Sequence, residues 1–161
     1  MIYRHAERSD IKECCILKKE VIKRLDNEGL SIWNEEYPSD QLLEEDISAD
    51  RGRVIIIDNE IVAYATLSPI LEEFDENTFN DSSFYCFSRL MVKTGFTNQH
   101  IATFLISSML EEIKAKGIKG CGIMVHPINE KANKMYQKLG FKFENRREYP
   151  FGDFITYSIS L

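Results

Sequence analysis

The sequence predicts an α/β (α+β) fold, a mixed sheet with helices packed on it. Three observations carry this reading. The β-rich runs 53–57 and 61–67 flank Asp58-Asn59-Glu60, a hairpin signal. Over 98–116 the residues Ile101, Leu105, Met109 and Ile113 recur every fourth position, beside Ala102, Ile106 and Leu110, as one face of a helix requires. The full order of elements reads β-α-α-β-β-β-α-β-α-β-β, and interleaving of that kind calls for a sheet covered by helices.

Taken in order, residues 2–6 read as a short strand. Ser9 and Asp10 offer capping side chains for a helix over roughly 10–25, striped with Ile11, Cys14, Cys15, Leu17, Val21, Ile22 and Leu25. Gly29 lies just past it. Residues 29–38 form a loop with the only tryptophan, Trp33. Ser39 or Asp40 can cap a second helix containing Leu42, Leu43, Asp46 and Ile47. The acidic segment 71–83 reads as loop and 84–92 as strand. Gly117 ends the long helix, and 119–125 is a strand bounded by Pro127. A short helix over 129–139 has Asn129 as N-cap and Gly140 as left-handed C-cap. Strands over 143–147 and 154–159 close the chain around a Tyr149-Pro150-Phe151-Gly152 turn. With no repeat, low-complexity tract or linker, residues 1–161 read as one domain.

Composition narrows the class. The chain is 43% apolar and 29% charged, as in a soluble globular protein. No apolar run approaches the ~20 residues of a membrane span. The start, MIYRHAERSD, is charged where a signal peptide needs an apolar stretch. A cytoplasmic protein that does not enter membranes is expected. Cys14, Cys15, Cys86 and Cys121 suit neither a disulfide framework nor a zinc site, and His5, His100 and His126 show no ligand spacing with them. Reduced packing cysteines and no metal are expected.

Charge is unevenly distributed. Residues 28–81 carry 15 acids against Arg51 and Arg53, whereas residues 93–147 carry ten Lys/Arg against four acids. Both halves are solvated surface on one reading. On the other, an anionic ligand meets the later segment and a cationic one the earlier. A net charge of −6 argues against nucleic-acid binding.

Two segments concentrate the chemistry: SRLMVKTGFTNQHIATFLISSML at 88–110 and NEKANKMYQKLGFK at 129–142. The first resembles the acetyl-CoA loop of the GCN5-related N-acetyltransferase (GNAT) family, a Leu-x-Val strand end, a turn and a helix. The second is similar to that family's other signature, here Asn129, Ala132, Tyr136, Gly140 and Phe141. Element order matches over nearly the whole chain. The resemblance implies the acyl-CoA N-acyltransferase fold, with a mixed, mostly antiparallel central sheet flanked by helices. It also implies acetyl-CoA as co-substrate and, by family habit, a homodimer.

The resemblance assigns the cofactor contacts. The backbone of Leu90, Met91 and Val92 would pair with the pantetheine amides, as a peptide adds to a sheet edge. The backbone of Thr97, Asn98, Gln99, His100, Ile101, Ala102 and Thr103 would meet the pyrophosphate. A helix N-terminus, with four unpaired N–H groups and a positive dipole end, suits a phosphate independently of any family. The family turn reads Arg/Gln-x-x-Gly-x-Gly/Ala, and Thr97, His100 and Ala102 stand at those places. His100 thus replaces a glycine that lets backbone approach phosphate. Either His100 lies along the pyrophosphate, or cofactor binding is weakened.

Tyr136 takes the family position facing the cofactor sulfur. A thiol has a pKa near ~8.5 and a phenol near ~10, so Tyr136 acts as a hydrogen-bond donor to the departing sulfur. The alternative is a helix tyrosine filling core space. Asn129 caps its helix in any case, and Asn133 is either a cofactor contact or an exposed helix position. An attacking amine of pKa ~10.4 is neutral in only about one part in 2,500 at pH 7, so a base or water relay must help. Family members often carry a carboxylate near 84–88. Phe84-Tyr85-Cys86-Phe87-Ser88 has none. Glu35, Glu36 and Asp81 are loop candidates, and the base stays unassigned.

Segments 29–38 and 71–83 are the expected acceptor region. Trp33 and Tyr37 offer rings, and Glu36 with its neighbouring acids offers attraction for a cation. Trp33 alternatively covers the core edge. The leading expectation is an N-acetyltransferase acting on a small-molecule or peptide amine. The alternatives are a catalytically weak or inactive acyl-CoA-binding module of the same fold, and an unrelated α/β interaction domain.

Overall fold

The computed structural model describes residues 1–70 and 79–161. The strands are β1 Ile2–His5, β2 Gly52–Ile57, β3 Glu60–Pro69, β4 Tyr85–Val92, β5 Gly120–Val125, β6 Lys142–Tyr149 and β7 Gly152–Ser160. The helices among the described residues are α1 Ile11–Asn27, α2 Asp40–Ser48, α3 Ile101–Ala115 and α4 Glu130–Lys138. The strands form one sheet in the order β1-β2-β3-β4-β5-β7-β6. The ladders β1–β2, β2–β3, β5–β7 and β6–β7 are antiparallel and β4–β5 is parallel. This is the mixed, mostly antiparallel, helix-flanked sheet expected, with its elements in the expected order.

Packing divides the chain into two compact units, Met1–Leu67 with Arg89–Met109 and Ser68–Ser88 with Leu110–Leu161. In the first, the β2–β3 turn has Asp58 at φ 49 and Asn59 at φ 64. Two consecutive left-handed residues make the type I′ geometry that matches strand twist. Cys14, Leu17 and Val21 of α1 and Leu43 and Ile47 of α2 pack with Val54, Ile61, Tyr64 and Met91. Full burial of each Leu, Val, Ile and Met among them contributes about 1.5–3 kcal/mol. Ser39 caps α2 as expected, its hydroxyl accepting from the Leu42 N–H at 3.1 Å. The expected side-chain cap of α1 is corrected. The Asp10 carboxylate turns back to the Glu7 N–H at 2.7 Å and to Arg4 at 2.7 Å, bracing a short 3₁₀ turn at Arg8–Asp10. A charged guanidinium competes for that carboxylate more strongly than a helix N–H does.

In the second unit, Gly120 and Gly122 of β5 lie under aromatic rings. A Cβ at Gly120 would come within 2.3 Å of the Phe84 ring, and one at Gly122 within 2.5 Å of the Phe79 ring. Only glycine permits that approach. Asn129 caps α4 through a 3.3 Å bond from the Ala132 N–H. Gly140, at φ 96, ends it, with Phe141 N–H donating to Tyr136 O at 3.0 Å and Gly140 N–H to Gln137 O at 3.1 Å. Both caps are as the sequence predicts.

Candidate active site

The first group of residues is the β4–α3 connection, within the first unit. The Met91 side chain is 1% exposed and belongs to the core, so only its backbone is available to a ligand. Leu90 and Val92 are half-buried. The Val92 carbonyl accepts from Arg24 Nη1 at 2.7 Å, and the Lys93 N–H donates to Val62 O at 2.8 Å. Arg24, which also reaches Thr94 Oγ1 at 3.2 Å, carries no sequence signal for this role. Lys93 is held by Glu60 at 2.9 Å and Glu20 at 3.7 Å, and the hydrogen bond to Glu60 raises its pKa.

The helix expected over 98–116 begins instead at Ile101. Asn98 stands at φ 61 and His100 at φ 60, and left-handed residues do not propagate a right-handed helix. Among residues with a side chain, Asn and His are those that enter this region most readily. The backbone conformation that a glycine would supply at position 100 is therefore kept by histidine. The Phe104 N–H donates to His100 O at 2.9 Å. Ahead of it, the Ile101, Ala102 and Thr103 N–H groups have no carbonyl four residues back within the helix. Asn98, Gln99 and His100 are exposed and Thr97 half-buried. Ile101, Leu105, Met109 and Ile113 are all buried, as the four-residue periodicity requires.

The second group lies on α4, within the second unit. Tyr136 is 4% exposed, edge-on to Phe87 at 5.9 Å and Phe141 at 6.0 Å between ring centroids. Burial pushes its phenol well above the ordinary value and keeps it protonated. No described residue supplies a hydrogen bond that offsets this shift. Asn133 is 8% exposed, which corrects the exposed-position alternative. Its amide nitrogen donates to the His126 carbonyl at 3.2 Å and the Asn129 carbonyl at 2.8 Å, and its oxygen accepts from the Tyr157 hydroxyl at 2.7 Å. Gln137 in turn donates to that hydroxyl at 3.1 Å. Both donors of Asn133 thus serve the interior.

The third group is the loop before α2, again in the first unit. Trp33 packs against the core edge, Glu35 and Glu36 are exposed, and Tyr37 is exposed with its hydroxyl accepting from Arg89 Nη1 at 3.2 Å. Arg89 also pairs with Asp46 at 2.6 Å, and Arg51 pairs with the same carboxylate at 3.0 Å. Sequence reading missed this network. The available signal was Asp46 itself, an acid at the core-facing spacing of Leu42, Leu43 and Ile47. In the second unit, Asp81 accepts from the Ser83 hydroxyl at 2.6 Å and N–H at 2.9 Å. Those bonds lower its pKa, the hydroxyl first, and make it a weaker base than an ordinary aspartate. Of the expected acceptor segment 71–83, residues 71–78 lie outside the described residues. Among the described residues no group of three His, Cys, Asp or Glu could hold a metal ion, and no helix is long and apolar enough to cross a membrane.

The sequence profile of the acetyltransferase (GNAT) family matches residues 19–141, a span that includes both the β4–α3 turn and α4. The chain belongs to the acetyltransferase (GNAT) family. No curated protein matches it in sequence. Its GNAT fold is shared with solved structures. A GNAT-family acetyltransferase from Streptococcus agalactiae superposes with a TM-score of 0.86 at 20% identity, over 99% of this chain and 95% of that one. Another, from Listeria monocytogenes, gives 0.84 at 17% identity, over 99% and 94%. The PaiA N-acetyltransferase of Thermoplasma acidophilum, solved in complex with coenzyme A, gives 0.78 at 21% identity, over 99% and 98%. At these identities the likeness is one of GNAT fold.

Proposed function

We propose that the chain is an acetyl-CoA-dependent N-acetyltransferase that acts on a primary amine of a cationic acceptor, small molecule or peptide. The observation that carries the reading is the backbone of the β4–α3 turn. His100 stands at φ 60, a conformation that glycine adopts without strain, and the first N–H groups of α3 have no carbonyl four residues back within the helix, which suits them to an anion. The residues fit the donor on their chemistry: Thr97 to Thr103 would hold the pyrophosphate and the backbone of Leu90, Met91 and Val92 the pantetheine arm. The complex of a structural relative with coenzyme A is consistent with that fit.

In the reaction the amine nitrogen bonds to the thioester carbonyl carbon, the carbon–sulfur bond breaks, the amine gives up a proton and the thiolate takes one. Tyr136 suits the last role. Its phenol is held protonated by burial and donates to a sulfur that develops negative charge. Tyr37, Glu35 and Glu36 would face a cationic acceptor. The chain's own acids leave the general base unnamed, since Asp81 is weakened by Ser83. The family's amine chemistry and the net charge of −6 favour an enzyme without nucleic-acid partners, and a cytoplasmic location without membrane partners belongs to the same reading.

A screen of amines with acetyl-CoA, read as free thiol, tests the proposal. Spermidine, amino sugars and lysine-containing peptides are expected to release thiol faster than neutral amines. Binding of coenzyme A by calorimetry with no thiol released from any amine would favour the non-catalytic binding module. Absence of binding at millimolar concentration would overturn both.

A further inference from the structure

Arg89 stands at φ 53 in the middle of β4, a left-handed residue inside a strand, next to the Leu90–Val92 segment. Its side chain is 10% exposed and reaches an Asp46 carboxylate that is 1% exposed. Nε and Nη2 of Arg89 both meet Asp46 Oδ2, at 2.9 Å and 2.6 Å. Arg51 takes the other oxygen at 3.0 Å and 3.1 Å, and Thr66 Oγ1 donates to Oδ2 at 3.1 Å. One arginine compensates one carboxylate, and a buried ion pair is a weak source of stability whose partners cannot be separated without leaving charge uncompensated. The second arginine uses its remaining nitrogen, Nη1, to donate to the Tyr37 hydroxyl at 3.2 Å.

The loop that Tyr37 ends is tied down elsewhere too. Asn34 Oδ1 accepts from the N–H groups of Glu36 at 2.8 Å and Tyr37 at 3.0 Å, and the Asn34 N–H donates to Tyr37 O at 2.9 Å. Trp33 anchors its start on the core. Glu35 and Glu36, both exposed, therefore project from a turn that is fixed at each end.

We propose that Arg89, seated on Asp46, is a positioning residue that fixes Tyr37 and the acidic 34–37 turn as a preformed wall for the cationic acceptor. The inference rests on the acetyltransferase reading above and deepens it by naming what sets the acceptor side. Preformed geometry lowers the ordering cost of binding, so its loss falls on acceptor affinity.

Tyr37→Phe removes only the hydroxyl and leaves the Asp46–Arg51–Arg89 cluster whole. Two readouts test it: acrylamide quenching of Trp33, the only tryptophan, and separate KM values for acetyl-CoA and for the best amine among spermidine, glucosamine and a lysine-containing peptide. The quenching constant is expected to rise about two-fold. The acceptor KM is expected to rise about five-fold or more, the size a single lost hydrogen bond supports, with acetyl-CoA KM and Tm unchanged. Arg89→Lys is expected to shift acceptor KM in the same direction, and the double variant no further than Arg89→Lys alone. Unchanged quenching with unchanged acceptor KM would overturn the proposal, as would an equal rise in both KM values or a fall in Tm for Tyr37→Phe. If the wild type acetylates none of the amines, the acetyltransferase reading is what fails. Trp33 quenching in Tyr37→Phe then decides by itself for or against the hold of Arg89 on the turn.

Discussion

Tyr157 donates its hydroxyl to the side-chain oxygen of Asn133 at 2.7 Å, and both residues are buried. Asn133 is thereby a polar strut between α4 and β7. Replacing it with alanine leaves that hydroxyl without its acceptor and removes one of two donors from each of the His126 and Asn129 carbonyls, which keep their backbone N–H partners. Asn133→Ala is expected to lower unfolding free energy by about 1–3 kcal/mol, read by chemical denaturation. Tyr157→Phe is expected to be milder, since Asn133 keeps both donor bonds.

Asp46→Ala removes the acid that Arg51 and Arg89 share. Breaking a buried pair leaves charge uncompensated, and a loss of about 3–5 kcal/mol is expected in the same measurement. A loss under about 1 kcal/mol would mean that the arginines find water or other acceptors.

Which of these features could be read from the chain depends on how local their causes are. The β2–β3 hairpin was legible because Asp58 and Asn59 are residues that enter the left-handed region, and the observed φ values follow from them alone. The caps Ser39, Asn129 and Gly140 were legible for the same reason. The start of α3 was not, because apolar periodicity reports burial of Ile101 and beyond but not the two left-handed residues ahead of it. Asp10 misled because Arg4, six residues away, competes for it. The Asp46–Arg89–Tyr37 network joins three segments, and no local pattern encodes such a contact. Both family segments at the site were visible as motifs. Arg24, which holds the end of β4 from α1, was not.

The Arg4–Asp10 pair predicts an acid dependence of stability. The hydrogen bond from Arg4 lowers the folded pKa of Asp10, so the folded carboxyl binds its proton more weakly than the unfolded one. As pH falls the unfolded chain takes up the extra proton, and stability decreases. The contribution is fully present above the unfolded value of about 3.9 and is lost as pH falls through the lower folded value. In Asp10→Asn the slope of stability against pH below about 4 is expected to flatten. Denaturation midpoints at pH 7 and pH 3 for both proteins check this.

His100→Gly is expected to keep the fold, because glycine adopts φ 60 without strain. Its Tm should match or slightly exceed that of the wild type. His100→Val is expected to lower it, since β-branched residues resist that region. If the imidazole lies along the pyrophosphate, coenzyme A binds His100→Gly a few-fold more weakly by calorimetry. Equal affinity would show that only the backbone of residue 100 matters.

Turnover as proposed depends on Tyr136 as a protonated donor to a departing sulfur. The deciding measurement is kcat for thiol release from acetyl-CoA by Tyr136→Phe, with a reactive amine. The ring is kept, so packing against Phe87 and Phe141 and the Tm should persist. Loss of the donor is expected to lower kcat ten-fold or more, about 1.4 kcal/mol or above in the barrier. The wild-type rate should show no alkaline fall from this group below its ordinary value of about 10, because burial raises the phenol pKa. An unchanged kcat in Tyr136→Phe, with Tm intact, would contradict the account.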